Sequence, residues 1–310
     1  MDQDGISEEG EYHLPVMADE VAALLAPALP GVVIDATFGG GGHSKRLMDE
    51  FGADVTIVGI DRDPEALVNA SAGVVVLQGN FGNLSDVVAN QLSESPRAVL
   101  FDFGVSSHQL DVSVRGFSYH KDGPLDMRMG PDTDLTASTI VNEWPEAEIA
   151  GIIRKYGEEP MAGRLARGIV AARPIKSTAQ LSTAIAEAMP AARRRAGHPA
   201  RRTFQAIRIA VNGELDAIAS GVDQAIDLVG SGGRVLAMSY HSLEDRIVKR
   251  RFADGATGCI CPPDLPVCGC GVTAELRVLT RKPIRAGDQE IEANNRARSA
   301  VLRAAEKVAA

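Results

Sequence analysis

No stretch of this chain is apolar over the ~18–20 residues that a bilayer-crossing helix needs, which excludes a helical membrane protein. The opening Met1-Asp2-Gln3-Asp4-Gly5 also lacks the basic and apolar regions of a secretory signal, so the expected place of action is the cytoplasm. Cysteine is scarce: all four lie between Cys259 and Cys270, which excludes a disulfide framework holding the whole fold. Positive charge is scarce as well, with 32 Lys+Arg against 41 Asp+Glu and a net charge of -9, a poor balance for binding phosphates. Its distribution changes that reading. Between Ser113 and Gly213 there are 15 Lys+Arg against 10 Asp+Glu, net +5, so the remainder carries net -14. One basic segment sits in an acidic chain.

What is present is enough apolar material for a sizeable core, 45% of 310 residues. Residues 1–11 are acidic and without apolar period, and read as disordered. A helix is expected from about Ala18 to Leu25, with Val21, Leu24 and Leu25 on one face and an end before Pro27. Four β-branched apolar runs follow: Val32–Ile34, Val55–Val58, Val74–Leu77 and Ala98–Phe101. Continuous apolar strands of this kind suggest a buried parallel sheet, and in such sheets ligands sit beyond the strands' carboxyl ends. Function is therefore sought at Asp35–His43, Asp61–Asp63, Gly79–Phe81 and Asp102–Gln109.

After Gln109 the strand pattern stops for about a hundred residues, giving way to helical stretches that include Glu146–Tyr156, Met161–Ala172 and Thr178–Ala188. The sheet resumes at Arg234–Met238, and the runs Leu276–Thr280 and Ser299–Ala304 suit an antiparallel pair at its edge. The expected fold class is α/β, a Rossmann-like, mostly parallel sheet. Its domain is discontinuous, 12–112 and 214–310, with residues 113–213 an inserted helical domain for substrate or RNA recognition.

The loop Asp35-Ala36-Thr37-Phe38-Gly39-Gly40-Gly41-Gly42-His43 follows the first strand, where glycines let a backbone approach a ligand closely. A third glycine in dinucleotide spacing is missing, because Gly39 and Gly41 lead to Ser44, and Gly40 and Gly42 to Lys45. That absence disfavours a nicotinamide-dependent oxidoreductase. Asp61, 22 residues after Gly39, is placed to accept from both hydroxyls of an adenosyl ribose. Asp35 at the loop's start would welcome an amino group and repel a pyrophosphate. These features favour S-adenosylmethionine over a dinucleotide, and with it a Rossmann-like sheet of the class I S-adenosylmethionine-dependent methyltransferase type.

Six segments together carry a more specific resemblance: Asp35–Ser44, Asp61-Arg62-Asp63-Pro64, Asp102-Phe103-Gly104-Val105-Ser106-Ser107, Arg115-Gly116-Phe117-Ser118, Gly123-Pro124-Leu125-Asp126-Met127-Arg128 and Ser239–Lys249. From about His13 to Glu306 the chain resembles the bacterial 16S ribosomal RNA cytosine-N4 methyltransferase family, small-subunit methyltransferase H, also known as MraW. The resemblance implies N4-methylation of a cytidine in the decoding region of 16S rRNA, within the small ribosomal subunit. It also implies cofactor contacts at Gly41, Gly42, His43, Asp61, Phe81, Asp102 and Gln109. A non-catalytic RNA-binding or ribosome assembly factor on the same fold is the rival from another class.

A cytosine amine has its lone pair drawn into the ring, and an acceptor on its N–H helps it pyramidalise as the methyl group arrives. Asp102 is the candidate acceptor. Related amino-methyltransferases follow this position with two prolines and an aromatic, whereas here Phe103-Gly104-Val105 follows, leaving open which side chain stacks on the base. His241, after the strand Val235–Met238, is the second catalytic candidate, either taking the proton lost on transfer or only orienting its loop.

Arg193, Arg194, Arg195, Arg201 and Arg202 put five arginines in ten residues inside the basic segment, with Phe204 and Arg208 beyond, a pattern suited to RNA phosphates and stacking. The pattern C-x-C-x6-C-x-C of Cys259, Cys261, Cys268 and Cys270 offers four thiolates for zinc, but structural zinc sites prefer C-x2-4-C, so a reduced loop is the favoured reading and no metal is assigned.

Overall fold

The computed structural model describes residues 15–309 except 69, 71, 72, 107, 108, 111, 192–197, 259, 260, 262–268 and 272. The N-terminal stretch 1–11 therefore lies outside the described residues. Helix α1 (Ala18–Leu25) has the expected bounds and buries Val21, Ala22 and Leu25. It leads into β1 (Gly31–Asp35), α2 (Gly42–Phe51), β2 (Val55–Asp61), the short α3 (Pro64–Leu67), β3 (Val75–Gln78), α4 (Leu84–Val88) and β4 (Ala98–Asp102).

Among the described residues, helices α5 (Ala137–Glu143), α6 (Glu146–Gly157), α7 (Ala162–Ala171), α8 (Thr178–Ala188) and α9 (Arg201–Asn212) follow. Helix α10 (Glu214–Leu228) returns the chain to β5 (Arg234–Ser239), and α11 (Ser242–Gly255), β6 (Leu276–Val278), α12 (Asp288–Ala293) and β7 (Val301–Lys307) complete it.

The strand order is β3-β2-β1-β4-β5-β7-β6, with the first five parallel and β7 antiparallel to both its neighbours. Central strands are apolar on both faces because helices cover both. One face packs Leu84, Val88, Ile218, Val222 and Phe252 against the sheet; the other packs Val21, Leu25, Leu47 and Ala297. β3 departs from the expectation of a fully buried strand: it is the sheet's edge, and Val75 remains 50% exposed. A neighbour on one side only cannot close both faces.

The helices after β4 do not join that core. Residues from Phe117 to Val211 form a separate apolar cluster around Ile140, Ile153, Leu165 and Ile207, whereas α10 packs on the sheet. Truncating one of these fully buried aliphatics to alanine costs roughly 2–5 kcal/mol. Chain order reverses between β1 and β4, so the loops leaving their carboxyl ends diverge and open a crevice. The basic helical layer stands beside that opening.

Candidate active site

A cavity of about 1030 Å³ lies at this crevice, bounded by Thr37–Gly40, Asp61, Phe81, Asp102 and Phe103 on the strand side and by Tyr119, Arg201, Phe204 and Arg208 on the helical side. Tyr240, His241 and Glu244 after β5 close it. Its volume is at the upper end of small-molecule pockets, room for more than one small group.

The first wall is built from backbone. Gly41 holds φ +72°, and a Cβ there would sit 2.7 Å from the Phe38 ring, so the turn into α2 requires glycine at this position. Asp61 at the end of β2 accepts from the Gly39 amide at 2.7 Å and from the Asp63 amide at 2.8 Å. Burial pushes its carboxyl up to about 6, partly opposed by those two amides. Remaining lone pairs on both oxygens can accept from further donors. Asp63 in turn accepts from Gln109 Nε2 at 2.9 Å and pairs with Arg115 at 2.8 Å, tying the loop after β4 to the loop after β2.

Asp102 ends β4, with its amide donating to Thr37 Oγ1 at 2.6 Å. Its carboxylate accepts from the Tyr240 hydroxyl at 2.7 Å, and its other oxygen lies 3.7 Å from His43 Nε2. Burial, followed by the Asp102 charge, pushes the Tyr240 hydroxyl well above its ordinary value, so it remains a donor. His43 is 7% exposed, and neither ring nitrogen has a hydrogen-bond partner among the described residues. Buried polar nitrogens left in this state normally await a ligand or water.

Of the residues expected to contact a cofactor, Asp61, Phe81, Asp102 and Gln109 line this one cavity. Gly41, Gly42 and His43 do not line it; the adjoining Gly39 and Gly40 do. Asp35 is also absent from the wall. It is 2% exposed and accepts from Ser44 Oγ at 2.7 Å, so it anchors the start of α2 instead of meeting a ligand amine. Asp102 and His241 both line this cavity.

Aromatic rings do occur here, though not where related enzymes carry theirs. Phe103 stacks on Phe101 with centroids 5.3 Å apart and meets Phe81 at 5.8 Å. Across the opening Tyr119 stacks on His198 at 4.4 Å and meets Phe204 edge-on at 5.8 Å. Tyr119 and Tyr240 received no role from the sequence because no local spacing announces them. Glu244 was missed for the same reason, and the half-buried Arg208, read with the arginine run, turns instead to Glu214.

Arg201 lies in the cavity wall and is exposed, while Arg202 is partly engaged, donating to the Glu158 carbonyl at 3.1 Å. Arg193, Arg194 and Arg195 lie outside the described residues, as do Cys259 and Cys268, so the arginine run and the thiolate set are described only in part. No described helix is long and apolar enough to cross a membrane.

The family model of the MraW methylases matches residues 10–308. The chain is 48% identical over 311 residues to the ribosomal RNA small subunit methyltransferase H of Heliobacterium modesticaldum, covering 96% of this chain and 99% of that protein. It is 49% identical over 310 residues to the protein of the same name from Symbiobacterium thermophilum, covering 96% and 98%.

Proposed function

The chain belongs to the MraW methylase family, and on that premise we propose that its cavity binds S-adenosylmethionine and methylates N4 of one cytidine in the decoding region of 16S rRNA, in the cytoplasm and within the small ribosomal subunit. The observation that carries this reading is the convergence of Asp61, Asp102 and His241, from three separate strand ends, on one cavity.

The residues present suit the cofactor. Gly39 and Gly40 give close backbone approach, Asp61 offers acceptors to ribose hydroxyls, Phe81 offers an apolar face, and Asp102 and Gln109 offer polar contacts. When bound, S-adenosylmethionine supplies a methyl group activated by its sulfonium.

Asp102 is the acceptor for the cytosine N4–H, its orientation fixed by Tyr240 and Thr37. As the N4–C bond forms, the amine nitrogen becomes positively charged, and His241 receives the proton it sheds. Arg193, Arg194, Arg195, Arg201 and Arg202 grip phosphates on either side of the target, which offsets part of the cost of turning the base out of its stack. The exposed Arg201 at the cavity and the Tyr119–His198 stack favour single-stranded RNA there.

Labelled cofactor should transfer its methyl group to small subunits from a strain lacking this enzyme, and mapping should place the label on one cytidine. Binding of subunits without transfer would instead support a non-catalytic assembly factor.

A further inference from the structure

Beside His241 lies a cluster of buried charge that the reaction as described does not use. Glu244, 0% exposed, accepts with Oε2 from the amides of Tyr240 at 2.7 Å and His241 at 3.2 Å. Its Oε1 is 3.0 Å from His241 Nε2, at ion-pair distance but without hydrogen-bond alignment. Glu214, 6% exposed, is held by Arg208 through two bonds of 2.9 Å.

Glu214, His241 and Glu244 bring three ligand-type atoms within 4.8 Å of one another, a spacing that also suits a metal ion. Arg208 already engages both oxygens of Glu214, so a guanidinium occupies the place such an ion would serve. One guanidinium against two carboxylates leaves one negative charge uncompensated in a buried setting. The His241 ring is the neighbouring group able to take up a proton beside it.

We propose that Glu244 is a positioning residue of the methyl transfer, holding the His241 ring and the Tyr240–His241 backbone toward Asp102 and stabilising the imidazolium formed when His241 takes the proton from the methylated amine. The proton moves from N4 to a ring nitrogen of His241 and then to water, leaving a neutral amine and a neutral imidazole. Burial works to raise the Glu244 carboxyl, but His241 and the Arg208 charge outweigh it and hold the group below its ordinary value, so it is ionised near neutrality. Arg208 lies on α9, whose first turn carries Arg201 and Arg202, so the same cluster joins the RNA-facing helix to the catalytic loop.

This inference rests on the role given to His241 above. Glu244→Gln keeps the shape and an acceptor for the two amides while removing the charge. At saturating cofactor and subunit it should lower kcat roughly 10–100-fold, with cofactor Kd and subunit KM changed by no more than about twofold. In a His241→Ala background the same substitution should cost almost nothing further. If Glu244→Gln does not fold, Glu244→Asp, which shortens the reach and keeps the charge, takes its place in the same cycle.

Wild-type kcat in Glu244→Gln beside an impaired His241→Ala overturns the inference alone. So do two effects that simply multiply, since Glu244 would then be acting elsewhere. Wild-type kcat in His241→Ala removes the proton-accepting role of His241 and this inference with it.

Discussion

The two walls of the cavity hold charge in opposite ways. On the strand side, carboxylates are held by fixed donors: Asp61 takes the Gly39 and Asp63 amides, and Asp102 takes the Tyr240 hydroxyl while its own amide donates to Thr37 Oγ1. On the helical side Arg208 is pinned to Glu214, but Arg201 stands exposed on a long side chain and its neighbour Arg202 is only partly engaged. The first arrangement costs desolvation, visible in the raised Asp61 carboxyl, and gives a wall whose geometry precedes any ligand. The second keeps its charges hydrated, so its attraction for phosphate is sensitive to salt. A small cofactor is met by fixed acceptors, a large polyanion by adaptable cations.

Substitutions on the two walls should therefore affect different measurements. The largest effect is expected from Asp102→Asn, which preserves shape and removes the charge that faces the target amine: kcat should fall about 100-fold or more, and cofactor affinity much less. Wild-type turnover at saturating cofactor and subunit would remove Asp102 as acceptor. Asp61→Ala should act on the cofactor alone, weakening it roughly 10–100-fold through loss of about 1.5–3 kcal/mol of charged hydrogen bonding. Unchanged affinity by calorimetry in a folded variant would reassign the ribose site.

The helical wall should respond to salt. Replacing Arg193, Arg194, Arg201 and Arg202 by alanine should weaken RNA binding roughly tenfold near physiological salt and flatten its salt slope by up to about 0.7–0.9 per lost contact, leaving cofactor affinity intact. Retention of both affinity and slope would make this run a solvated surface. Arg201→Ala alone should account for more of the change than Arg202→Ala, since Arg202 already donates to the Glu158 carbonyl.

The smallest effect separates the walls by pH. With its carboxyl raised to about 6, Asp61 gains a proton as pH falls through that value and loses acceptor strength, so cofactor affinity should drop severalfold between pH 7 and about 5.5. In Asp61→Ala the same titration should be flat over that window. An equal pH response in both proteins would place the titrating group elsewhere.

Local pattern made much of this legible. The bounds of α1 and α8 follow from apolar period, capping residues and proline, and the antiparallel pair β6 and β7 was visible as two late apolar runs. β3 looked as buried as its neighbours because a run of valines cannot say whether a strand lies at an edge. Asp35 and Asp61 looked equivalent as strand-end acids, yet one turns to Ser44 inside the protein and the other to the cavity. The difference lies in side-chain direction and neighbours, not in sequence position.

The sequence by itself determined the alternating α/β order, the glycine turn, the strand-end carboxylates and the separation of a basic segment from an acidic remainder, because each depends on residues close together in the chain. Only the tertiary structure decided that Tyr240 donates to Asp102 across 138 residues, that Arg208 meets Glu214 beside Glu244, and that Tyr119 stacks on His198 at the opening. Hydrogen bonds and ring contacts act over a few ångströms, and which distant residues come within that range is set by strand order and helix packing, which no local spacing records.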